Sequence, residues 1–317
     1  MNQKDIINQL KSRGYVNSGK ILSDRDINEL SKLCRDTFKS LSSLPTRNEH
    51  HKDLLSPSSG SIGFSRVPEH NPIIEKLLGK IVMDPKVTNV LKAVLGDDYK
   101  IWQIAYRKSI KGDKGLHLHQ DSHGETNLTI LLSDNEDGIG STVFLSGSHL
   151  LKKSIKQFKI MIPSIIFSWI LILCDSLRGK RGDVGFFFNS TWHGRSPNNS
   201  SKEYDAILFS FFPATGKFGF NGYGDWSEKF LKKNTVLTNL INPKINTTID
   251  EHGLYEVLSK KNLKLNKPFV LQANQIKSNI KKYNRIKLFF SLGLLIALSH
   301  LYLAVKILQK IFKGTKL

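Results

Sequence analysis

Cysteine is scarce in this chain: the 317 residues include only Cys34 and Cys174. Two cysteines cannot form a disulfide framework, so the class of small disulfide-stabilised proteins is excluded and nothing indicates an oxidising compartment. The first residues, from Met1 to Asp5, also lack the apolar stretch of a signal peptide. We therefore expect the folded part of the chain to stay in the cytoplasm.

Acidic residues are also few: the chain has 27 aspartates and glutamates but 47 lysines and arginines, which gives a formal net charge of +20. Such a basic excess attracts polyanions, either nucleic acid or an anionic lipid surface. Nucleic acid is the less favoured partner, because no nucleic-acid-binding module is visible. A general bias towards lysine accounts for part of the excess. Lysines clustered beside apolar segments favour anionic lipid headgroups.

Two apolar runs stand out from this basic background. Leu288 to Val305 is a stretch of eighteen residues without a formal charge, with lysines on both sides. That length is near the lower limit for a membrane span, and a core helix of a soluble domain is the alternative. Residues 160 to 174 form a second run, either an apolar lid that dips into lipid or lines a substrate tunnel, or a buried strand and helix. We expect the protein to associate with a membrane, either spanning it or lying in its interface.

The most informative stretch runs from Leu116 to Asp121, and His193 lies 72 residues after Asp121. In a β-strand the side chains at i and i+2 share a face, so His119 and Asp121 can converge on one point. A histidine from a neighbouring strand, His193, would complete a facial triad. Two imidazoles and a carboxylate suit Fe(II) and leave coordination positions open, although zinc accepts the same ligand types.

Three further histidines lie near these motifs. His117 and His123 share strand parity with His119, and His117 would replace His119 if the strand register shifted. We expect both to be polar residues that flank the site. His149, in the sequence Ser-Gly-Ser-His, is expected to close a turn with its ring nitrogens.

The sequence around these motifs predicts short strands separated by turns. Apolar runs indicate buried strands, and segments that contain Asp and Gly indicate turns between them. The predicted strands are Leu128–Leu132, Ser141–Leu145 and Val184–Phe188. Such strands around a His-x-Asp motif and a distal histidine predict a mainly β fold with helices. Its core is a double-stranded β-helix, that is a jelly-roll or cupin-like barrel, with the metal in its mouth.

Helices are predicted on the N-terminal side of this barrel. Ser23 is a suitable cap for a helix that runs to about Lys39, and residues 73–95 space their apolar residues as a helix does. We therefore divide the chain into three parts. They are a jelly-roll domain braced by helices (residues 1–225), a linker with a small helical extension (226–285), and a C-terminal apolar, membrane-associated helix with a basic tail (286–317).

Four segments, in their order and approximate spacing, resemble a known family. They are Gly14-Tyr15-Val16 with Leu22-Ser23-Asp24, His119-Gln120-Asp121, Leu145-Ser146-Gly147-Ser148-His149, and Gly182-Asp183 through His193-Gly194 to Asn198. Over roughly residues 5 to 213 the chain resembles the phytanoyl-CoA dioxygenase family of Fe(II)- and 2-oxoglutarate-dependent oxygenases, and four ordered motifs are far more specific than one.

The resemblance implies that His119, Asp121 and His193 are the iron ligands and catalytic residues, and that 2-oxoglutarate binds the iron as co-substrate. Oxidative decarboxylation of 2-oxoglutarate then drives hydroxylation of a C–H bond, while the protein orients and shields the reaction. Asp121 occupies the position that a halogenase of this class leaves to a halide. Hydroxylation is therefore the expected outcome.

The chain departs from the family where the 5-carboxylate of 2-oxoglutarate is bound. That carboxylate needs a cation, ideally a bidentate arginine about eleven positions after the distal histidine, but this position is Tyr204. Nearby cations are Arg195 and Lys202, and Lys108 stands where many members carry a lysine. We predict that Lys108, with help from Arg195, binds the carboxylate. The alternative is that both are solvated residues of loops or strand ends.

These observations predict an Fe(II)- and 2-oxoglutarate-dependent dioxygenase that hydroxylates a lipid or lipid-linked substrate at the cytoplasmic face of a membrane. The positive charge would attract both anionic headgroups and 2-oxoglutarate. Two alternatives stay open. One is a catalytically silent, membrane-tethered jelly-roll binding protein, if Tyr204 ends 2-oxoglutarate binding. The other is a basic oxygenase that acts on nucleic acid.

Overall fold

The computed structural model of this chain describes residues 1–45, 53–55, 62–121, 124–150, 173–213 and 226–241, together with Phe290, Gly293, Leu294 and Ala297. The helices in this part of the chain are α1 (Gln3–Arg13), α2 (Asp24–Ser42), α3 (Pro72–Met83), α4 (Pro85–Leu95), α5 (Glu228–Leu231) and α6 (Val236–Leu240). The strands are β1 (Tyr15–Lys20), β2 (Ile62–Ser65), β3 (Tyr99–Ser109), β4 (Leu116–His119), β5 (Thr126–Leu131), β6 (Thr142–Phe144), β7 (Asp175–Ser176), β8 (Asp183–Phe188), β9 (His193–Arg195) and β10 (Tyr204–Pro213).

The strands form two antiparallel sheets. The larger sheet has the order β1-β8-β5-β10-β3-β2, and the smaller has the order β4-β9-β6-β7. Rings from the two sheets meet between them: Tyr15 of β1 stacks on Phe144 of β6 at 4.5 Å between centroids, and Phe187 of β8 lies 5.2 Å from the same ring. Two facing antiparallel sheets with such a core are typical of a jelly roll. The predicted mainly β core is therefore confirmed.

The central strands β5, β8 and β10 of the larger sheet are buried on both faces, because helices cover the face that points away from the smaller sheet. On β10, Ile207, Phe209 and Phe211 pack in the core beneath the helices, whereas Tyr204 and Ala206 pack in the core between the sheets. Side chains alternate between the faces of a strand, so both sets must be apolar for the sheet to be buried. This burial explains the unbroken apolar runs of the sequence.

Helix α2 covers this outer face as the sequence predicts. The Ser23 hydroxyl caps it by accepting a hydrogen bond from the Asp26 backbone N–H at 3.1 Å. Ile27, Leu30 and Cys34 are fully buried along one side of the helix, at spacings of three and four residues, which place them on one stripe.

The helical pattern predicted for residues 73–95 is present as two helices, α3 and α4. Asp84 separates them because a residue before proline, here Pro85, is disfavoured in the helical conformation. The Asp84 carboxylate then accepts a hydrogen bond from the Lys86 backbone N–H at 2.8 Å and so caps α4. The chain therefore turns at this point and packs two short helices on the sheet instead of one long helix.

Residues 226–241 pack on the helical side of this same core. Phe230, Leu237 and Ile241 are buried in it. The Glu75 carboxylate of α3 accepts hydrogen bonds from the Lys233 ammonium at 2.8 Å and the Thr235 hydroxyl at 2.7 Å. The predicted division at residue 225 stays a prediction, and these contacts show that the first residues beyond it are attached to the core.

The membrane prediction is corrected. In the described residues no helix is both long and apolar enough to cross a bilayer. Of the two apolar runs behind the prediction, residues 288–305 lie outside the described part of the chain except for Phe290, Gly293, Leu294 and Ala297, and residues 160–172 lie outside it altogether.

A buried ion pair ties α2 to the larger sheet. Arg35 donates to both carboxylate oxygens of Asp205 at 2.6 and 2.9 Å, and the Tyr106 hydroxyl donates to the same carboxylate at 3.2 Å. The Asp205 side chain is 1% exposed, whereas that of Arg35 is 49% exposed. The carboxylate therefore depends on a cation that reaches it from the surface of the helix.

We expect Arg35→Met to destabilise the fold by about 2 kcal/mol, because it leaves the Asp205 carboxylate buried without its cation; partial exposure of Arg35 reduces the effect. Urea unfolding followed by circular dichroism measures the change. The control is Arg25→Met, at an exposed position of the same helix, which should change stability by less than about 0.5 kcal/mol. Equal stability of the two variants would contradict the argument.

Candidate metal centre

Three predicted ligands meet at one end of the smaller sheet. His119 at the end of β4 lies directly opposite His193 at the start of β9, and Asp121 follows two residues after His119. The Asp121 Oδ2 lies 3.4 Å from Nε2 of His193 and 3.6 Å from Nε2 of His119. One ligand atom from each of the three residues lies within 4.8 Å of the other two. The predicted triad is therefore assembled by the fold.

A glycine lets the two histidine strands approach each other. A Cβ atom at Gly194, which follows His193, would lie 2.5 Å from the Leu116 carbonyl oxygen and 3.0 Å from that of His117. These contacts are with backbone and cannot relax by a side-chain movement. Only glycine fits at this position without separating β4 from β9.

Backbone carbonyls fix the tautomer of both histidines. Nδ1 of His119 lies 2.7 Å from the His117 carbonyl oxygen, and Nδ1 of His193 lies 2.8 Å from that of Thr191. A carbonyl oxygen only accepts hydrogen bonds, so each Nδ1 carries a proton when the ring is neutral. Each Nε2 then presents its lone pair towards Asp121, which is the arrangement that a metal requires.

The charges in the triad favour an ionised carboxylate. Partial desolvation alone would raise the pKa of Asp121, but hydrogen bonds from His119 and His193 hold it well below its ordinary value. Burial alone would also lower the pKa of His119, yet the Asp121 carboxylate outweighs it and raises that pKa. Without a metal, protons therefore compensate the carboxylate, and a metal ion would take over this role.

The donor set fits the ion that the sequence predicts. Two neutral imidazole nitrogens and one carboxylate form a facial set that suits Fe(II). The Asp121 side chain is 47% exposed, so the triad opens towards solvent on one side and leaves coordination positions for other ligands. Zinc accepts the same ligand types, and geometry in the protein alone does not separate the two metals.

The other histidines have different places. His117 is not part of the triad, and its carbonyl oxygen orients the His119 ring. The strand β4 therefore does not adopt the alternative register in which His117 would replace His119. His123 lies outside the described residues. Nε2 of His149 lies 3.0 Å from the Lys11 carbonyl oxygen, so its ring closes the turn onto the end of α1.

The Ser-Gly-Ser-His turn also supports the third ligand. The Ser148 hydroxyl accepts a hydrogen bond from the Trp192 backbone N–H at 2.8 Å, and the Trp192 carbonyl accepts one from the Leu145 N–H at 2.9 Å. Both backbone groups of the residue before His193 are thereby fixed. This explains why the turn and the distal histidine occur together in the sequence.

Two of the predicted cations lie away from the triad. Lys108 shares the strand face of Tyr106, which packs under the helices, and its ammonium lies 2.8 Å from the Glu203 carboxylate. Lys202 is 65% exposed and lies 3.1 Å from the Glu136 carboxylate. Alternation along β3 therefore directs Lys108 to the outer face of the sheet, and the structure does not bring it to the metal ligands.

Arg195 and Tyr204, in contrast, lie in the interior. Arg195 is two residues after His193 on β9 and 8% exposed, and Tyr204 is 3% exposed between the sheets. Burial first, and the Arg107 guanidinium second, lower the pKa of Arg195 to about 10. Burial raises the pKa of the Tyr204 hydroxyl. These two residues differ from the lysines in being buried away from solvent.

Several interior polar residues were not predicted. Gln103, Arg107 and Ser109 alternate on β3 with Ile104 and Tyr106, which pack under the helices. The first set therefore faces the smaller sheet. Alternation of polar and apolar residues in this strand is the signal that could have identified them, together with knowledge of which face is covered by helices.

Glu125 is a second unpredicted residue near the triad. It is 3% exposed, and its carboxyl accepts a hydrogen bond from the Trp102 indole N–H at 3.2 Å. Burial first, and then the Asp121 carboxylate, raise its pKa to about 8. This shift favours the uncharged form of Glu125 at neutral pH, and that form adds no second negative charge beside Asp121.

Comparisons with known proteins agree with this geometry. No family model matches the chain. Two sequence relatives, the ectoine dioxygenases of Bordetella parapertussis and Bordetella bronchiseptica, are each 26% identical over 230 residues, which cover 62% of this chain and 70% of the relative. The crystal structure of EctD from S. alaskensis with 2-oxoglutarate and 5-hydroxyectoine has a TM-score of 0.54 at 16% identity and covers 69% of this chain and 78% of that one.

A second similar structure is SnoK, a non-heme alpha-ketoglutarate-dependent carbocyclase from nogalamycin biosynthesis. Its TM-score is 0.53 at 16% identity, and the match covers 67% of this chain and 84% of SnoK. The fold, the triad and the sequence relatives point to one class: the chain is similar to iron- and 2-oxoglutarate-dependent dioxygenases, and it carries three residues that could hold the metal of such an enzyme. The predicted resemblance to the phytanoyl-CoA dioxygenase family is confirmed. The relatives give the predicted membrane location no support.

Metal affinity should rise as pH increases above the ordinary histidine pKa of 6.5, because Nε2 of His119 must lose its proton to bind a metal and its pKa is raised. Anaerobic calorimetric titration of the metal-free protein with Fe(II) measures this rise. His117→Ala should keep the pH dependence, whereas His193→Ala should bind poorly at every pH. A wild-type affinity that does not change with pH would contradict the assignment.

Glu125→Gln should stabilise the metal-free protein at high pH. A carboxyl whose pKa is higher in the folded state than in the unfolded chain costs stability as pH rises, here from its ordinary 4.5 towards about 8. Glutamine keeps the acceptor for Trp102 but does not ionise. Scanning calorimetry should therefore show a Tm several degrees above wild type at pH 8 and a much smaller difference at pH 5. The exposed Glu29→Gln serves as control, and a difference that is constant with pH would refute the effect.

Proposed function

We propose that this dioxygenase hydroxylates a C–H bond of a small polar molecule, with His119, Asp121 and His193 as the iron ligands. The observation that carries the proposal is the triad itself: both Nε2 atoms lie within 3.6 Å of the Asp121 carboxylate, and both Nδ1 atoms are anchored on backbone carbonyls. When bound, Fe(II) and 2-oxoglutarate supply the oxidising power for C–H hydroxylation.

The protein's own residues orient and shield this chemistry. The Thr191 carbonyl orients the His193 ring through its Nδ1–H, and Phe187 from the larger sheet packs 5.1 Å from the same ring. The ligand atoms are thereby fixed before a metal arrives, which reduces the reorganisation that binding requires. The apolar rings around Phe187 exclude water from the inner side of the site.

The interior wall favours a polar substrate over a lipid tail. The side-chain nitrogen of Gln103 and the hydroxyl of Thr129 are buried on the inner face and have no hydrogen-bond partner within the described part of the chain. Buried polar groups without partners are costly, and a ligand with its own polar groups would satisfy them. A hydrocarbon chain would leave them unsatisfied. The lipid substrate that the basic charge suggested therefore finds no support in this wall.

The sequence relatives point to the same kind of substrate. They are ectoine dioxygenases, and the similar EctD structure contains 5-hydroxyectoine. A compact, polar, nitrogen-containing molecule is consistent with the polar inner wall of this chain. We therefore take ectoine and related small cyclic or zwitterionic compounds as the first substrates to test.

Turnover of 2-oxoglutarate to succinate is the direct test. With Fe(II), dioxygen and a reductant, we expect the purified protein to form succinate slowly alone and faster with a compound that fits the site. His193→Ala should reduce this turnover at least about 100-fold, because it removes a metal ligand, whereas His117→Ala should not. Iron binding without any succinate formation would indicate a silent binding protein instead.

A further inference from the structure

The guanidinium of Arg195 is buried in the barrel, and none of the described residues forms an ion pair with it. Its Nε and Nη2 atoms are inaccessible to solvent and form no hydrogen bond within the described part of the chain. The hydroxyl of Tyr204 is also inaccessible to solvent, and the Thr142 side chain acts on it as a hydrogen-bonding group. A buried cation is costly unless it is paired and hydrogen-bonded. Two unsatisfied donors on one guanidinium therefore indicate an anion that the described part of the chain does not provide.

The acidic residues of the described chain do not fill this role. Asp113 is the carboxylate whose charge acts on Arg195, but its Oδ2 accepts a hydrogen bond from the Ile110 backbone N–H at 3.0 Å. No ion pair of Arg195 occurs among the residues that the structure describes. The Arg107 guanidinium acts on Arg195 as a second positive charge and increases the need for an anion.

Strand register places Arg195 beside the metal ligands. In the smaller sheet Phe144 lies opposite His193, and Thr142 lies opposite Arg195. Residues at i and i+2 share a face, so Arg195 and His193 both point to the interior, separated by roughly 6.6 Å along the strand. An anion bound by Arg195 is therefore one residue pair deeper in the barrel than the triad. That spacing suits a short dicarboxylate whose other end reaches the metal.

We infer that Arg195, with the Tyr204 hydroxyl, binds the distal carboxylate of 2-oxoglutarate. This inference rests on the proposed function. The arginine expected at position 204 is then replaced by one on the opposite sheet: β9 supplies the guanidinium, and β10 supplies a hydroxyl that completes the site. Arg195, and not Lys108 as the sequence predicts, is then the main cation that binds the carboxylate. The Lys108 ammonium forms an ion pair with the Glu203 carboxylate on the outer face.

Binding of two keto acids to the anaerobic Fe(II)-loaded protein tests this inference. The probes are 2-oxoglutarate and 2-oxobutanoate, which has the same metal-binding end but no distal carboxylate. Calorimetry and the visible charge-transfer band both report binding without turnover. We expect wild-type protein to prefer 2-oxoglutarate by at least about 100-fold, since two charge-assisted hydrogen bonds are at stake.

Three arginine or lysine variants separate the candidate cations. Arg195→Met should weaken 2-oxoglutarate binding about 100-fold and leave 2-oxobutanoate within about threefold, so the preference disappears. Lys108→Met and Lys202→Met should keep the wild-type preference. Tyr204→Phe should weaken 2-oxoglutarate binding roughly tenfold, because one hydrogen bond is lost.

Each outcome has a distinct meaning. Unchanged 2-oxoglutarate binding in Arg195→Met, or loss of preference in Lys108→Met, would overturn the inference. If Arg195→Met does not fold, the inference is still tested by the wild-type protein and by the Lys108→Met and Tyr204→Phe variants. Equal binding of the two keto acids by the wild-type protein would overturn the inference. Iron binding with no keto acid binding at all would instead refute the proposed function.

Discussion

The antiparallel register of β4, β9 and β6 is the constraint on which the site depends. It sets His119 against His193 and Thr142 against Arg195, so one strand of three residues carries both a metal ligand and a buried cation to the interior. A shift of one residue would turn both side chains outwards. The larger sheet, the helices and the Ser-Gly-Ser-His turn all serve to hold these short strands in place.

The triad and the barrel could be predicted from sequence because their signals are local. The spacing of His119 and Asp121, the apolar strands and the Ser23 cap each depend on a few neighbouring residues. The role of Lys108 could not be judged in this way. Its face depends on which side of β3 the helices cover, and that is decided by residues far away in sequence, such as Arg35 and Asp205.

Buried groups escaped prediction for a related reason. Nothing local in the sequence shows that burial and the Asp121 carboxylate raise the pKa of Glu125. In the described part of the barrel, the charge of the Arg107 guanidinium acts on that of Arg195. Two positive charges that act on each other favour a co-substrate that carries two carboxylates.

Gly194 gives the metal centre a property that no ligand side chain controls. Because a Cβ there would collide with the backbone of β4, the distance between the two histidine-bearing strands is determined by main chain against main chain. The distance between the two imidazole rings is consequently fixed by the backbone of the sheet. The spacing of the two imidazoles is then set by strand packing, and it changes only if the backbone itself is rebuilt.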